Sequence, residues 1–299
     1  MKRILLTGII ISTIAITGCY YYGPCLDGSG PVISETRIIE GFTGVKNTGS
    51  FDVYVTRSET FNVEVVAQEN LIPIIETYVS GHNLIIEIKN GSCYRSSSPV
   101  EIHVSLPEME ELVLSGSGDV FADVAESSVF ECSNSGSGHI EIDTIHSGST
   151  SLINSGSGTI DALELNAVEV SLIQTGSGII EGGTVIGSSD VSIHHSSSGK
   201  VRASIVDGTK VDATLSGSGR IDLDGFAPVA SYVLSSSGKI DALELETMDA
   251  DATITGSGNI FLWATDHLEA TITGSGDIIY RGTPNITLRI TGSGKVRSY

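Results

Sequence analysis

Residues 112–122 read Leu-Val-Leu-Ser-Gly-Ser-Gly-Asp-Val-Phe-Ala, and residues 270–280 read Ala-Thr-Ile-Thr-Gly-Ser-Gly-Asp-Ile-Ile-Tyr. The tetrapeptide [Ser/Thr]-[Gly/Ser]-Ser-Gly at their centre occurs ten times, closing at Gly118, Gly138, Gly158, Gly178, Gly199, Gly219, Gly238, Gly258, Gly276 and Gly294. Successive closing glycines lie 18 to 21 residues apart. Two residues after each stands a β-branched residue, from Val120, Ile140 and Ile160 to Ile278 and Val296, and four after it the side chain is mostly small or apolar. Six residues before it, Cys132, Leu152, Leu172 and Ile193 alternate with polar neighbours. Alternation of period two is the signature of a strand with one face buried and one solvated. Each repeat is therefore strand, tight corner, strand and short return.

A repeat of about 20 residues buries no core by itself, so copies must stack. Stacking at the inter-strand spacing makes a rod of about 48 Å from ten coils. The predicted fold is all-β, a parallel β-helix with about 20 residues per coil. At the corner the closing Gly supplies either positive φ or close backbone approach. Ser117, Ser137 and their equivalents are expected to form a hydroxyl ladder. Four residues before the Gly most coils carry Leu or Ile, but four successive ones carry Asn134, Asn154, Gln174 and His195. These predict an internal amide ladder bonded along the rod axis, with a polar ligand groove as the alternative.

Composition narrows the partners. With 16 Lys+Arg against 36 Asp+Glu the net charge is −20, which disfavours nucleic acid, since polyanions are bound by neutralising phosphates. The 35 Gly residues occur without a collagen period or Pro enrichment, which fits many sharp turns. Lys2 and Arg3 precede an apolar run, Ile4–Ile16, that is shorter than the ~20 residues needed to span a bilayer. It ends in Ile16-Thr17-Gly18-Cys19, which resembles a bacterial lipobox and makes Cys19 the expected lipidation site; the alternative is a secretory signal with an incidental Cys. Tyr20 in place of Asp favours an outer-membrane anchor, on either its periplasmic or its surface side. The expected organisation is a signal peptide at 1–18, a tether at 19–32, an N-terminal β capping region of the solenoid at 33–112 and the SGSG-repeat β-helix at 113–299. Within the cap, Asn70–Val79 is a candidate short helix broken near Pro73. The chain stops five residues after Gly294, so the last coil is open and offers a contact for an oligomer. Of the remaining cysteines, Cys132 sits in the apolar phase, and Cys25 and Cys93 are either a disulfide or free thiols.

The lipobox, the strand Phe51-Asp52-Val53-Tyr54-Val55 and the SGSG-closed coils together resemble the head GIN domain family, described as auto-transporter adhesins. The resemblance runs from about Ile33 to the C-terminus. It implies a right-handed β-helix on exported proteins of the Gram-negative bacterial envelope, and it brings no catalytic residues.

No GxSxG elbow occurs, and each SGSG is followed by a strand rather than by the helix a nucleotide-binding loop needs. The outward line Glu141, Asp161, Glu181, Asp222 and Asp241 is the candidate ligand face, where stacked carboxylates invite calcium or a cationic ligand. Phe261 and Trp263 form a candidate contact patch. No cofactor is expected beyond that calcium. The sequence thus predicts a non-enzymatic, lipid-anchored envelope protein whose β-helix presents a binding or adhesion surface to a glycan or an envelope protein. Two alternatives are a polysaccharide lyase or glycosidase using the acidic face, and a structural or assembly module of the envelope.

Overall fold

The computed structural model of the protein describes residues 25–90 and 92–299. The expected signal peptide and Cys19 lie outside these residues. Among the described residues no helix is long and apolar enough to cross a membrane.

The chain winds as a β-solenoid with the period the corners predict. Val120–Asn134, His139–Asn154 and Thr159–Gln174 pair in parallel, with Val120 opposite Ile140 opposite Ile160, and Asn134 opposite Asn154 opposite Gln174. Pairing skips Asp123, Asp143 and Leu163, and again Ser128, Gly148 and Val168. These two breaks and the SGSG corner divide the pairing of each such coil into three short segments. Later coils keep the register in shorter pieces, such as Lys200–Val206 with Lys210–Leu215. The β-branched residue after each corner enters the core: Val120, Ile140, Ile160, Ile180, Val201, Ile221, Ile240, Ile260 and Ile278 are all fully buried. A stack of β-branched side chains packs closely on a pleated interior. Where one coil carries a large residue its neighbours shrink: Tyr232 lies between Ala213 and Ala252.

The corner glycines owe their presence to close approach. None of the closing ten is among the glycines with positive φ. A Cβ on Gly138 would stand 1.9 Å from the carbonyl oxygen of Gly118 in the coil below. Corner amides bond to the preceding corner, as Ser135 N to Leu114 O at 2.9 Å and Ser157 N to Gly136 O at 3.1 Å. The hydroxyl ladder is only partial: Ser157 meets Ser177 at 3.2 Å and Ser293 meets Ser275 at 3.1 Å.

The N-terminal region departs from a simple run of degenerate coils. Gly44–Asn47 and Asp52–Arg57 form a coil that pairs in parallel on one side with Glu111–Leu114 and Val120–Asn134. On its other side it pairs in parallel with Asn83–Ile88 and Glu101–Leu106, so the spatial order of coils is not the chain order. The outer edge is then extended antiparallel: Ile75–Ser80 pairs with Asn83–Ile88, Asn62–Gln68 with Glu101–Leu106, and Val32–Arg37 with Asn62–Gln68. These strands cover an edge that would otherwise be a template for further pairing. The expected helix at 70–79 is reduced to a 3-10 turn, Ile72–Ile74, followed directly by a strand, because β-branched Ile75, Thr77 and Val79 favour the sheet. Residues 25–32, read from sequence as the end of a tether, are docked: Cys25 is disulfide-bonded to Cys93, Leu26–Asp27 pairs with Tyr94–Arg95, and Ser29 N bonds to Asn70 Oδ1 at 2.7 Å. At the opposite end Asn285–Ile290 is exposed throughout, including Ile286, Leu288 and Ile290.

Candidate functional site

The polar column inside the corner comes first because its chemistry is internal. Asn134, Asn154, Gln174 and His195 are buried and stacked in register. Their bonds run mainly to corner backbone rather than from amide to amide. Asn134 Nδ2 donates to Gly138 O at 2.8 Å and to Thr159 O of the next coil at 3.2 Å, while Oδ1 accepts from Gly136 N at 3.0 Å. Asn154 repeats the set with Gly158 O, Ile179 O and Gly156 N. Gln174 donates to Gly178 O, and the His195 ring nitrogens approach Gly199 O at 2.8 Å and Gln174 O at 3.1 Å. Asn47 belongs to the same column, bonding Phe51 O and Gly49 N, and the sequence reading missed it because its coil lacks the SGSG closure. Each of these buried side chains bonds backbone groups on the inner side of a corner whose serines face water.

On the outside, Glu141, Asp161 and Glu181 stack in register, and Arg202 takes the next place before Asp222 and Asp241. Among the described residues Glu141 and Asp161 make no ion pair. From Glu181 onward the line is neutralised. Arg202 reaches Glu181 at 2.8 Å, Lys200 reaches Asp222 at 2.8 Å, and Arg220 bridges Asp222 and Asp241, the latter at 3.0 Å. Lys239 reaches Asp241 at 2.7 Å. Burial pushes the Asp222 carboxyl up, but hydrogen bonds from Lys200 and Arg220 outweigh it and hold the group below the usual carboxylate range. The sequence reading missed the partner ladder Lys200, Arg220 and Lys239, although all three sit one residue after a closing Gly and aligning that column would have found them.

The aromatic pair is less open than its sequence position suggested. Phe261 and Trp263 are half-buried, with Lys239 Nζ 4.1 Å from the Phe261 ring centre and Arg281 Cζ 4.0 Å from that of Trp263. Cation–π contact satisfies those ring faces. A second aromatic group, missed because its members are distant in sequence, stacks His103, Tyr54 and Phe121 at 5.0 and 5.2 Å beside Glu141. Among the described residues no group of three or more His, Cys, Asp or Glu side chains is placed to hold a metal ion. Cys132 is buried in the core, and burial pushes its thiol up, which makes it a poor nucleophile.

The whole solenoid has solved counterparts. A crystal structure of a "putative adhesin" from Parabacteroides merdae matches over 93% of this chain and all of its own, with a TM-score of 0.56 and 20% identity. A second "putative adhesin", from Parabacteroides distasonis, matches over 92% of this chain and all of its own, with a TM-score of 0.53 and 21% identity. A third, from the same species and described as a "putative lipid binding protein", covers 92% of this chain and all of its own at 25% identity, with a TM-score of 0.49. At 20 and 21% identity the likeness to the first two is one of fold. No curated protein matches the chain. The model of one family, "Putative auto-transporter adhesin, head GIN domain", matches residues 41–204 and again 167–284, two overlapping registers of the kind a repeating coil permits. Together these matches cover most of the solenoid, and the chain belongs to the head GIN domain family.

Proposed function

We propose that the protein is a non-catalytic, lipid-anchored module of the bacterial outer membrane, tethered through Cys19 after removal of residues 1–18, whose rod presents a binding or adhesion surface to envelope glycans or proteins. The observation that carries this reading is the set of in-register ladders on the rod's exterior, where the same position is displayed coil after coil. Such a surface suits a repeating ligand better than a single small substrate. The family description supports the adhesive role, and the Cys25–Cys93 disulfide fits an exported chain. A right-handed winding fits the strong preference of parallel crossover connections for that hand. The acidic face as a glycosidase site is disfavoured at Asp222. A proton-donating carboxyl needs a raised pKa, whereas its basic partners lower this one. The exposed apolar strand of the last coil supplies a contact for self-assembly or for a partner. The test is a glycan and envelope-component array probed with mature protein, with calcium and with a chelator. Saturable binding to one ligand class is expected, and comparing the two conditions reads any calcium requirement. A blank array under both conditions overturns the reading.

A further inference from the structure

The cationic ladder lies along a groove. Three adjacent columns line it, Ser177, Ser198, Ser218 and Ser237, then the closing glycines 178, 199, 219 and 238, then Ile179, Lys200, Arg220 and Lys239, around a volume of about 550 Å³. In a chain of net charge −20 this is a local reversal of sign. Lys200, Arg220 and Lys239, with Arg202 beside the groove, form ion pairs with Glu181, Asp222 and Asp241, four cations against three carboxylates, and Lys239 also lies against the Phe261 ring. Donors also outnumber acceptors. Arg220 engages its carboxylates through Nε and Nη2, and each lysine ammonium has three N–H groups but bonds one carboxylate. The four serines are exposed and add a row of hydroxyl donors two residues before the cation column. Lys200, Arg220 and Lys239 stand in direct register, so positive groups recur at the coil spacing of about 4.8 Å.

We infer that this groove binds an extended saccharide carrying an acidic group, carboxylate or sulfate, on successive sugars, one acidic group meeting each coil. The inference rests on the rod being a binding surface and names its ligand class. An acidic sugar supplies the missing acceptors to the cations, while its hydroxyls pair with the serine row. The carboxylates behind the ladder hold the cations in place, so little side-chain entropy is lost on binding. A long polyanion without hydroxyls, such as nucleic acid, gains less from the serines and meets repulsion from the acidic remainder of the rod.

The test titrates the mature chain with an oligogalacturonate, with a sulfated oligosaccharide of the same length, with a neutral oligosaccharide and with single-stranded DNA. Wild type is expected to bind one or both acidic sugars, more weakly as salt rises. Ser218→Asp, which puts a negative charge into the groove without breaking an ion pair, is expected to weaken that binding by about tenfold or more. Arg220→Gln with Lys239→Gln should do the same. Lys295→Gln, at the equivalent position of the last coil but with no cationic neighbours in register, should leave affinity unchanged. Thermal melts of all variants separate loss of the site from loss of the fold. Unaltered affinity in Ser218→Asp, tighter binding to DNA than to either acidic sugar, or no binding of acidic sugars by wild type overturns the inference. In that last case array binding to other components preserves the broader reading, and a blank array removes both.

Discussion

At the scale of single residues the corner divides its roles unevenly between Gly and Ser. The closing Gly is fixed by a neighbouring backbone carbonyl, whereas the corner serines are exposed. Gly138→Ala should cost about 1–3 kcal/mol, since its Cβ meets the Gly118 carbonyl and the stacked backbone has little room to move. Ser137→Ala in the same corner should stay within about 0.5 kcal/mol. Thermal or urea unfolding of the two variants checks the pair. Tyr232 offers the opposite effect. Its hydroxyl is fully buried and unpartnered among the described residues, and burial pushes its pKa up. Tyr232→Phe removes a desolvated hydroxyl while keeping the ring, and should raise Tm, in line with a gain of about 1 kcal/mol. The corner and the apolar columns were legible in the sequence because period two and the recurring Gly each report a backbone constraint. The partners of the polar column were not. Sequence shows that Asn134 and Asn154 align but not that each amide turns toward corner carbonyls, which depends on how the corner folds around it.

At the scale of the element, two features hold parts together that propensity alone would leave loose. The short strand Leu26–Asp27 is too brief to persist unaided, and the Cys25–Cys93 bond closes a 68-residue separation that ties it to the cap. Loop-closure entropy for that length gives about 4 kcal/mol as an upper figure, so Cys25→Ser should destabilise the cap by about 2–4 kcal/mol. Hydrogen exchange should localise the loss to residues 25–110 rather than to the coils beyond. The interlocked charge ladder is the second feature. Asp222 titrates below its ordinary value of 3.8 in the folded chain. Its contribution is therefore fully present above that ordinary value and disappears as pH falls through the lowered folded-state value. Asp222→Asn should destabilise the protein at pH 7, and the gap to wild type should narrow as pH falls below 3.8, read by urea unfolding across the acid range. A gap independent of pH would mean the carboxylate acts by packing rather than by charge. The acidic line was legible as a column, but its neutralisation only in part. Arg220 and Lys239 pair with Asp222 and Asp241 two residues on in their own strands, which the sequence displays, whereas only stacking brings Lys200 to Asp222 and Arg220 to Asp241.

At the scale of the whole molecule, a rod built from one repeated coil displays the same chemistry at fixed intervals. That accounts for two overlapping family matches and for a surface of ladders in place of a single converging pocket. Period and all-β character followed from the sequence, because every coil states the pattern again. The antiparallel cap did not, since residues 58–109 break the repeat and their pairing crosses chain order. The functional claim is that the rod binds a glycan or envelope component without altering it. The most direct measurement incubates mature protein with acidic and neutral glycans and follows both the bound fraction and the glycan chain length over time. Saturable binding with chain length unchanged is the predicted result. Shortening of any glycan, abolished by Asp161→Ala or Asp222→Ala, would contradict it and make the acidic face a catalytic one.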